Sequence, residues 1–324
     1  MTIVPSGTLA WPQYVGGGPS RMRPVTSDPQ PLERAFQSRG VQTVLVASAV
    51  LGALIGLQTL ILHLTTDPLA DVHAYYDAGA RLNAGLPLYD QPAGTDDAAF
   101  YRYPPLLAIA FRPLALLPFE AAAAIWMAVL LVLFAGTLYR SGLRNRWTWL
   151  VAGWLAAPIA WSFAVGQAQV AVTFLVIVGT PWGIALAANV KLLPLLVAIY
   201  WVGRRDVRAM GRLGAWLVGL AVLSLVLEPA GTIAFLGFTD LAQVGSVENM
   251  SLYGLSPVLW LAFVVMLAAV ALRLAPRRAG WTAAVALSVL ASPRLLMYQL
   301  STLQATVRGP DEEVRTATSS DEPA

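Results

Sequence analysis

The stretch "VQTVLVASAVLGALIGLQTLIL" (residues 41–62) contains 22 residues and no charged side chain. An α-helix of about 20 apolar residues crosses the ~30 Å hydrocarbon core of a bilayer. The stretch therefore predicts a transmembrane helix. A markedly more polar segment, "DVHAYYDAGARLNAGLPLYD" (residues 71–90), follows it after a few residues.

The composition extends this interpretation to the whole chain. Of the 324 residues, 57% are hydrophobic and 12% charged, and the mean hydropathy is +0.63. These values are typical of a polytopic membrane protein, so we predict an all-α transmembrane fold with roughly seven spans. The predicted spans are 41–62, 119–139, 146–165, 183–202, 212–228, 254–272 and 280–300. Cysteine is absent, which excludes disulfides and thiolate metal sites.

Two further apolar segments are too short to cross a bilayer. Residues 106–118 are interrupted by Arg112 and Pro113, and residues 169–179 form a run of only eleven. Broken helices are tolerated at membrane depth where protein or a water-filled cavity satisfies the backbone. A kinked helix packed on its neighbours would explain either segment alone, but the two together predict a cavity.

The arginines predict the orientation in the membrane. They cluster near residues 34–39, 140–146, 204–212 and 273–278, whereas residues 63–105 and 228–253 are acidic. Because cytoplasmic loops carry the excess of basic residues, we expect the two acidic loops on the outer face of a multi-pass plasma-membrane protein. Arginines dispersed in this way do not form a nucleic-acid groove, so nucleic acid is excluded as a partner.

The two ends of the chain are predicted to be disordered. Residues 1–35 are rich in Pro, Gly and Ser and lack the apolar core of a signal peptide, which predicts a cytoplasmic tail. Residues 305–324 form a second polar tail. Residues 36–304 remain as one transmembrane domain.

The polar segment after the first span has the signals of a separate helix. Asp67 is suited to the N-cap, Pro68 to the first helical position, and Gly85 to the C-terminal cap. They predict an amphipathic helix over residues 68–84, lying on the outer membrane surface. Asp71 falls in its first turns, where the helix dipole favours an ionised carboxylate. From the residues alone it is either an ordinary helix-start acid or a functional carboxylate at a cavity rim.

Several motifs occur in an order that resembles a known family. Asp71 and "AYYDAGARLNAGLPLYD" are followed by "YRYPP" (residues 101–105). Later come "FAVGQAQ" (163–169), "ALAANVKLLPLL" (185–196), "ENMSLYGL" (248–255) and "ASPRLLMYQL" (291–300). Together they resemble glycosyltransferase family 87, the polyprenol-phosphate-mannose-dependent, mannosyltransferase-like group of the C superfamily. The resemblance covers about residues 41–304 and implies the helical fold of that superfamily.

The resemblance implies transfer of a hexose, with mannose as the first candidate, from a polyprenyl-phosphate donor to a hydroxyl of a glycolipid or glycan on the extracytoplasmic face. A lipid phosphate leaves as a stable anion, so one carboxylate is enough as general base and a direct attack inverts the anomeric centre. Asp71 carries over as that base. The family's substrate-binding residues carry over as Tyr75, Arg102, Tyr103, Gln167, Lys191, Asn249 and Arg294. We expect no metal or other cofactor, because His63 and His73 lack a credible set of ligands.

Two other functions stay open. A glycolipid transporter or flippase would use the same cavity without a base, and a degenerate, non-catalytic member would retain only the fold. Lys191, the sole lysine, has two interpretations as well. A charge within an apolar span costs ~3 kcal/mol or more, so its ammonium either meets the donor phosphate or extends to an interface.

Overall fold

The computed structural model describes residues 38–89, 100–237 and 248–307. Within these ranges the chain is helical and has no strand, which confirms the predicted all-α class. Residues 44–324 form one compact unit; of the smaller unit, residues 1–43, only the start of the first helix is described. The predicted tail 1–35 and most of 305–324 lie outside the described residues, so both tails stay predictions.

The described residues contain α-helices of very different length. They are α1 Arg39–Thr66, α2 Ala70–Asn83, α3 Pro105–Phe111, α4 Phe119–Ser141, α5 Arg146–Trp154, α6 Ala156–Ala164, α7 Gln169–Val178, α8 Pro181–Val190, α9 Ile199–Gly203, α10 Val207–Leu227, α11 Pro229–Leu236, α12 Pro257–Leu274 and α13 Gly280–Leu290. Short 3₁₀ helices occupy Leu114–Leu116, Leu193–Ala198, Leu252–Gly254 and Met297–Thr306. Among these, α1, α4, α10 and α12 are long and apolar enough to cross a membrane. The chain is a multi-pass membrane protein.

The other three predicted spans are divided, and this corrects the expectation of continuous helices. Residues 146–165 form α5 and α6, residues 183–202 are divided among α8, a 3₁₀ helix and α9, and α13 covers only the first half of 280–300. Proline explains the divisions, because it lacks the N–H that bonds the carbonyl four residues back and disfavours helix before it. Pro158, Pro194 and Pro293 lie at or just beyond the three breaks.

The helix after the first span exists, but its start differs from the prediction. It begins at Ala70, and the N-cap position is Leu69, whose φ of 57° is in the left-handed region. Asp67 does not cap it, because its carboxylate binds the ring of His63 in α1. The end agrees with the prediction: Gly85 has φ 68°, and Leu86 N–H donates to the Arg81 carbonyl at 2.9 Å. This is a Schellman-type end.

Helix α2 is packed into the protein along one face. Val72, Tyr75 and Ala78 are buried among residues of α3 and α4. At Gly79 a side chain would run into the backbone of Phe111, so the glycine lets α2 and α3 approach closely. This packing fixes the N-terminal turn of α2, where Asp71 lies. Contact of α2 with the membrane surface stays a prediction.

Candidate active site

A cavity of about 650 Å³ lies beside the start of α2. Its size is in the range of ligand pockets. The breaks that face it are those after α8 and α13, where residues 190–193, 292–294 and 296 line the wall. Neither predicted short segment, 106–118 or 169–179, lines this cavity. A cavity was correctly predicted, but the helix breaks that face it are not the two segments on which the prediction rested.

Asp71 lines the cavity and is fixed at both its backbone and its side chain. Its N–H donates to the Val165 carbonyl at 3.1 Å, and its Oδ1 lies 3.1 Å from the Tyr103 hydroxyl. Burial raises the pKa of Asp71 to about 6, and the charge of Lys191 and the Tyr103 hydroxyl oppose this rise. The carboxylate is therefore mostly ionised at pH 7 but able to hold a proton slightly below it, which suits a general base.

A hydrogen-bond network of buried groups supports this carboxylate. The Tyr75 hydroxyl donates to Gln167 Oε1 at 2.7 Å and accepts from the Ala168 N–H at 3.1 Å. The Tyr103 hydroxyl lies 3.1 Å from both Gln167 Oε1 and Asp71 Oδ1. Tyr103 has one proton, so it can donate to ionised Asp71 or, when Asp71 is protonated, to Gln167. The network can satisfy both states of the carboxylate.

The position of Gln167 depends on a glycine. Gly166 has φ 70° and ends the turn after α6, and a side chain at this position would run into Val72 of α2. The Gly166 carbonyl accepts from Trp126 Nε1 at 2.8 Å. Tyr75 and Gln167 are themselves fully buried and do not line the cavity. Gln167 contacts the hydroxyls of both Tyr75 and Tyr103, and binding of a substrate by Tyr75 and Gln167 stays a prediction.

Lys191 follows directly after α8 in an extended backbone conformation, and its side chain reaches the same cavity. Its Nζ donates to Gln169 Oε1 at 2.8 Å and lies 4.5 Å from the centroid of the Tyr298 ring. It is 5.5 Å from the Tyr103 ring. A neutral amide and two ring faces hold the ammonium, and among the described residues no carboxylate forms an ion pair with it. An anion in the cavity can therefore approach Lys191 Nζ without displacing an ion-pair partner among the described residues.

Arg294 and Arg102 also line the cavity. The Nε of Arg294 is buried, and no described group accepts a hydrogen bond from it. Asn249, in contrast, does not line the cavity: its side chain donates to the Pro293 carbonyl at 3.0 Å and accepts from the Leu295 N–H at 2.9 Å. It fixes the loop that carries Arg294, so its effect on a substrate would be indirect.

Residues 100–297 match the sequence model of glycosyltransferase family 87. The chain belongs to this family. The match includes Arg102, Tyr103 and Lys191, whereas Asp71 precedes it. No solved structure matches the chain.

Two mycobacterial mannosyltransferases are similar to this family 87 member. The chain is 30% identical over 154 residues, 42% of this chain and 38% of the relative, to the polyprenol-phosphate-mannose-dependent alpha-(1-2)-phosphatidylinositol pentamannoside mannosyltransferase of Mycolicibacterium smegmatis. It is 34% identical over 172 residues to the alpha-(1-2)-phosphatidylinositol mannoside enzyme of Mycobacterium tuberculosis, 41% of this chain and 40% of that one. The matched part spans less than half the length of each relative.

Several side chains that line the cavity of this family 87 protein were not predicted as site residues from the sequence. His63 and Trp161 stack with ring centroids 4.4 Å apart, and His63 Nδ1 lies 2.8 Å from Asp67 Oδ1. Tyr298 and Glu248 also contribute. Only the i, i+4 spacing of His63 and Asp67 was visible in the sequence. Among the described residues no three histidine or acidic side chains lie close enough together to bind a metal ion. That the protein needs no metal stays a prediction.

Proposed function

We propose that this family 87 protein is a hexosyltransferase. It moves a hexose, mannose as the first choice, from a polyprenyl-phosphate donor to a hydroxyl of a glycolipid or glycan. The names of the relatives, which depend on polyprenol-phosphate-mannose and act on phosphatidylinositol mannosides, support this donor and a glycolipid acceptor. Membrane lipids surround the site, and the reaction occurs on the extracytoplasmic face of the plasma membrane.

One observation carries the proposal: the carboxylate of Asp71 shares a cavity with the cations Lys191 and Arg294. The buried Arg294 Nε lacks an acceptor among the described residues, and a phosphate oxygen would supply it. A lipid-phosphate leaving group needs positive charge beside it but no acid, because it departs as a stable anion.

Asp71 then acts on the acceptor. Its carboxylate removes the proton from the attacking hydroxyl while the bond between the sugar and the phosphate breaks, and a single displacement inverts the anomeric centre. As Asp71 gains the proton, the Tyr103 hydroxyl turns from Asp71 to Gln167, with which it is also in hydrogen-bond contact. Lys191 and Arg294 hold the released lipid phosphate.

The test is transfer by the purified protein reconstituted in vesicles. Radiolabelled polyprenyl-phosphate mannose and a phosphatidylinositol mannoside are supplied, and the product is digested with an α- and a β-mannosidase. We expect a new mannolipid with the anomeric configuration opposite to that of the donor. If a folded protein that binds the donor forms no product, the proposal is overturned.

Asp71→Glu separates a transferase from a flippase. The longer side chain displaces the carboxylate by about one carbon–carbon bond, so transfer should fall by at least tenfold. Movement of a fluorescent polyprenyl phosphate between leaflets, measured in the same vesicles, needs no base. Lipid movement without transfer by the wild type would favour the transporter.

A further inference from the structure

One wall of the cavity carries a row of side chains with opposite charge at its two ends. Lys191 lies 4.5 Å from the Tyr298 ring, Tyr298 makes an edge contact with Trp161 at 5.6 Å, and Trp161 stacks on His63 at 4.4 Å. His63 then contacts Asp67 at 2.8 Å. Three aromatic rings thus separate the ammonium from a second carboxylate in the cavity.

The carboxylate of Asp67 is only partly used by the protein. His63 Nδ1 and the Thr66 hydroxyl both bond Oδ1, at 2.8 and 2.7 Å, and no described donor bonds Oδ2. The side chain is 38% exposed, against 15% for His63. This end of the wall therefore offers Oδ2 of Asp67 as a hydrogen-bond acceptor beside the large Trp161 ring.

We propose that Asp67, His63 and Trp161 form a subsite for the sugar of the acceptor, a specificity site that rests on the proposed transfer reaction. Hydroxyl groups donate to a carboxylate in strong charge-assisted hydrogen bonds, and the C–H groups of a sugar pack against the part of an aromatic side chain that lines a cavity. A phosphate is repelled by Asp67 and attracted to the opposite end of the wall, at Lys191. The subsite therefore takes an uncharged polyol.

The acceptor fits this end better than the donor sugar does. Direct displacement places the attacking hydroxyl opposite the leaving phosphate, so an acceptor approaches from the side away from Lys191. Asp67 also belongs to the short turn between α1 and α2 that leads into Asp71. An acceptor hydroxyl at Asp71 thus places the remaining hydroxyls of the same sugar within reach of this turn.

Two variants test the subsite, each with a matched control. Asp67→Asn removes the charge, and Asp77→Asn makes the same change at an exposed position of α2 that does not line the cavity. Trp161→Leu removes the ring, and Trp154→Leu does so at a residue whose indole bonds Ser48 away from the cavity. Trp161→Leu also provides the test if Asp67→Asn does not fold.

Binding is measured in the Asp71→Asn background, where turnover is suppressed, by calorimetric titration with octyl α-mannoside as the acceptor probe. A soluble short-chain prenyl-phosphate mannose serves as the donor probe. We expect Asp67→Asn and Trp161→Leu to weaken octyl mannoside binding by about tenfold or more and donor binding by less than threefold. Both controls should bind like the parent. In the active enzyme, Asp67→Asn should raise the acceptor KM and leave kcat within about threefold.

Unchanged octyl mannoside affinity in both variants would overturn the subsite. A parallel loss of donor affinity would also overturn it, because the residues would then hold the donor sugar. These outcomes are independent of the proposed function, since binding needs no turnover and the wild-type transfer assay tests the reaction itself.

Discussion

Replacing Tyr103 with phenylalanine should move the pH profile of transfer to higher pH. The wild-type rate should follow ionisation of Asp71, whose pKa is about 6, and fall as the pH drops through that value. The Tyr103 hydroxyl, 3.1 Å from Oδ1, stabilises the ionised form. A hydrogen bond to a charged group is worth about 1.5 kcal/mol, or roughly one pH unit.

Gln167 competes for the same Tyr103 proton at the same distance, so the net shift should be about half to one unit upward. At pH 6 the rate should then fall from about half of its maximum to between roughly a tenth and a quarter. Above pH 8, where Asp71 is ionised in both proteins, the two rates should converge.

The assay is kcat/KM for labelled hexose transfer, measured from pH 5 to 8.5 in one buffer series. Tyr76→Phe is the control, because Tyr76 is also in α2 but its hydroxyl donates to the Leu117 carbonyl, away from Asp71. Its profile should match that of the wild type. An inflection that stays in place or moves to lower pH in Tyr103→Phe would refute the assigned hydrogen bond.

Three further results are expected. Because folding raises the pKa of Asp71, ionisation of its carboxyl lowers the free energy of unfolding; this cost is absent below the ordinary pKa of 3.8 and complete above about pH 6. Asp71→Asn should therefore melt no lower than the wild type at pH 7. A lower melting temperature would contradict this. Arg294→Gln should raise the donor KM by about tenfold with little change in acceptor KM, and equal changes in both would argue against phosphate contact. A cysteine that replaces Ala84, on the predicted outer face, should react with an impermeant maleimide in intact cells. A cysteine that replaces Arg144, in a predicted cytoplasmic loop, should react only after permeabilisation; the reverse pattern would show that the predicted orientation is wrong.

The sequence predicted those features that depend on local rules. Gly85 adopts the positive φ expected at a helix C-terminus, and the apolar lengths of α1, α4, α10 and α12 identify them as possible spans. The divided spans could also have been anticipated, because Pro158, Pro194 and Pro293 were visible. Counting apolar length alone gave these prolines too little weight.

The rest of the site depends on contacts between distant parts of the chain. Asp67 was predicted to cap α2, but its carboxylate contacts His63, one turn back in α1. Leu69, in the left-handed conformation, occupies the N-cap position instead. Local spacing could not show that Gln169 would hold Lys191, or that Trp161 would stack on His63. Such pairs follow from the packing of whole helices.

The central claim, that Asp71 is the base of a polyprenyl-phosphate-dependent transferase, is tested most directly by comparing Asp71→Asn with Asp77→Asn. Asparagine keeps the size of the side chain but cannot accept the proton. Turnover of labelled polyprenyl-phosphate hexose should fall by about 10² to 10⁴ in Asp71→Asn while donor affinity changes little, and Asp77→Asn should stay within about tenfold of wild type. Substantial turnover in a folded Asp71→Asn protein would contradict the claim.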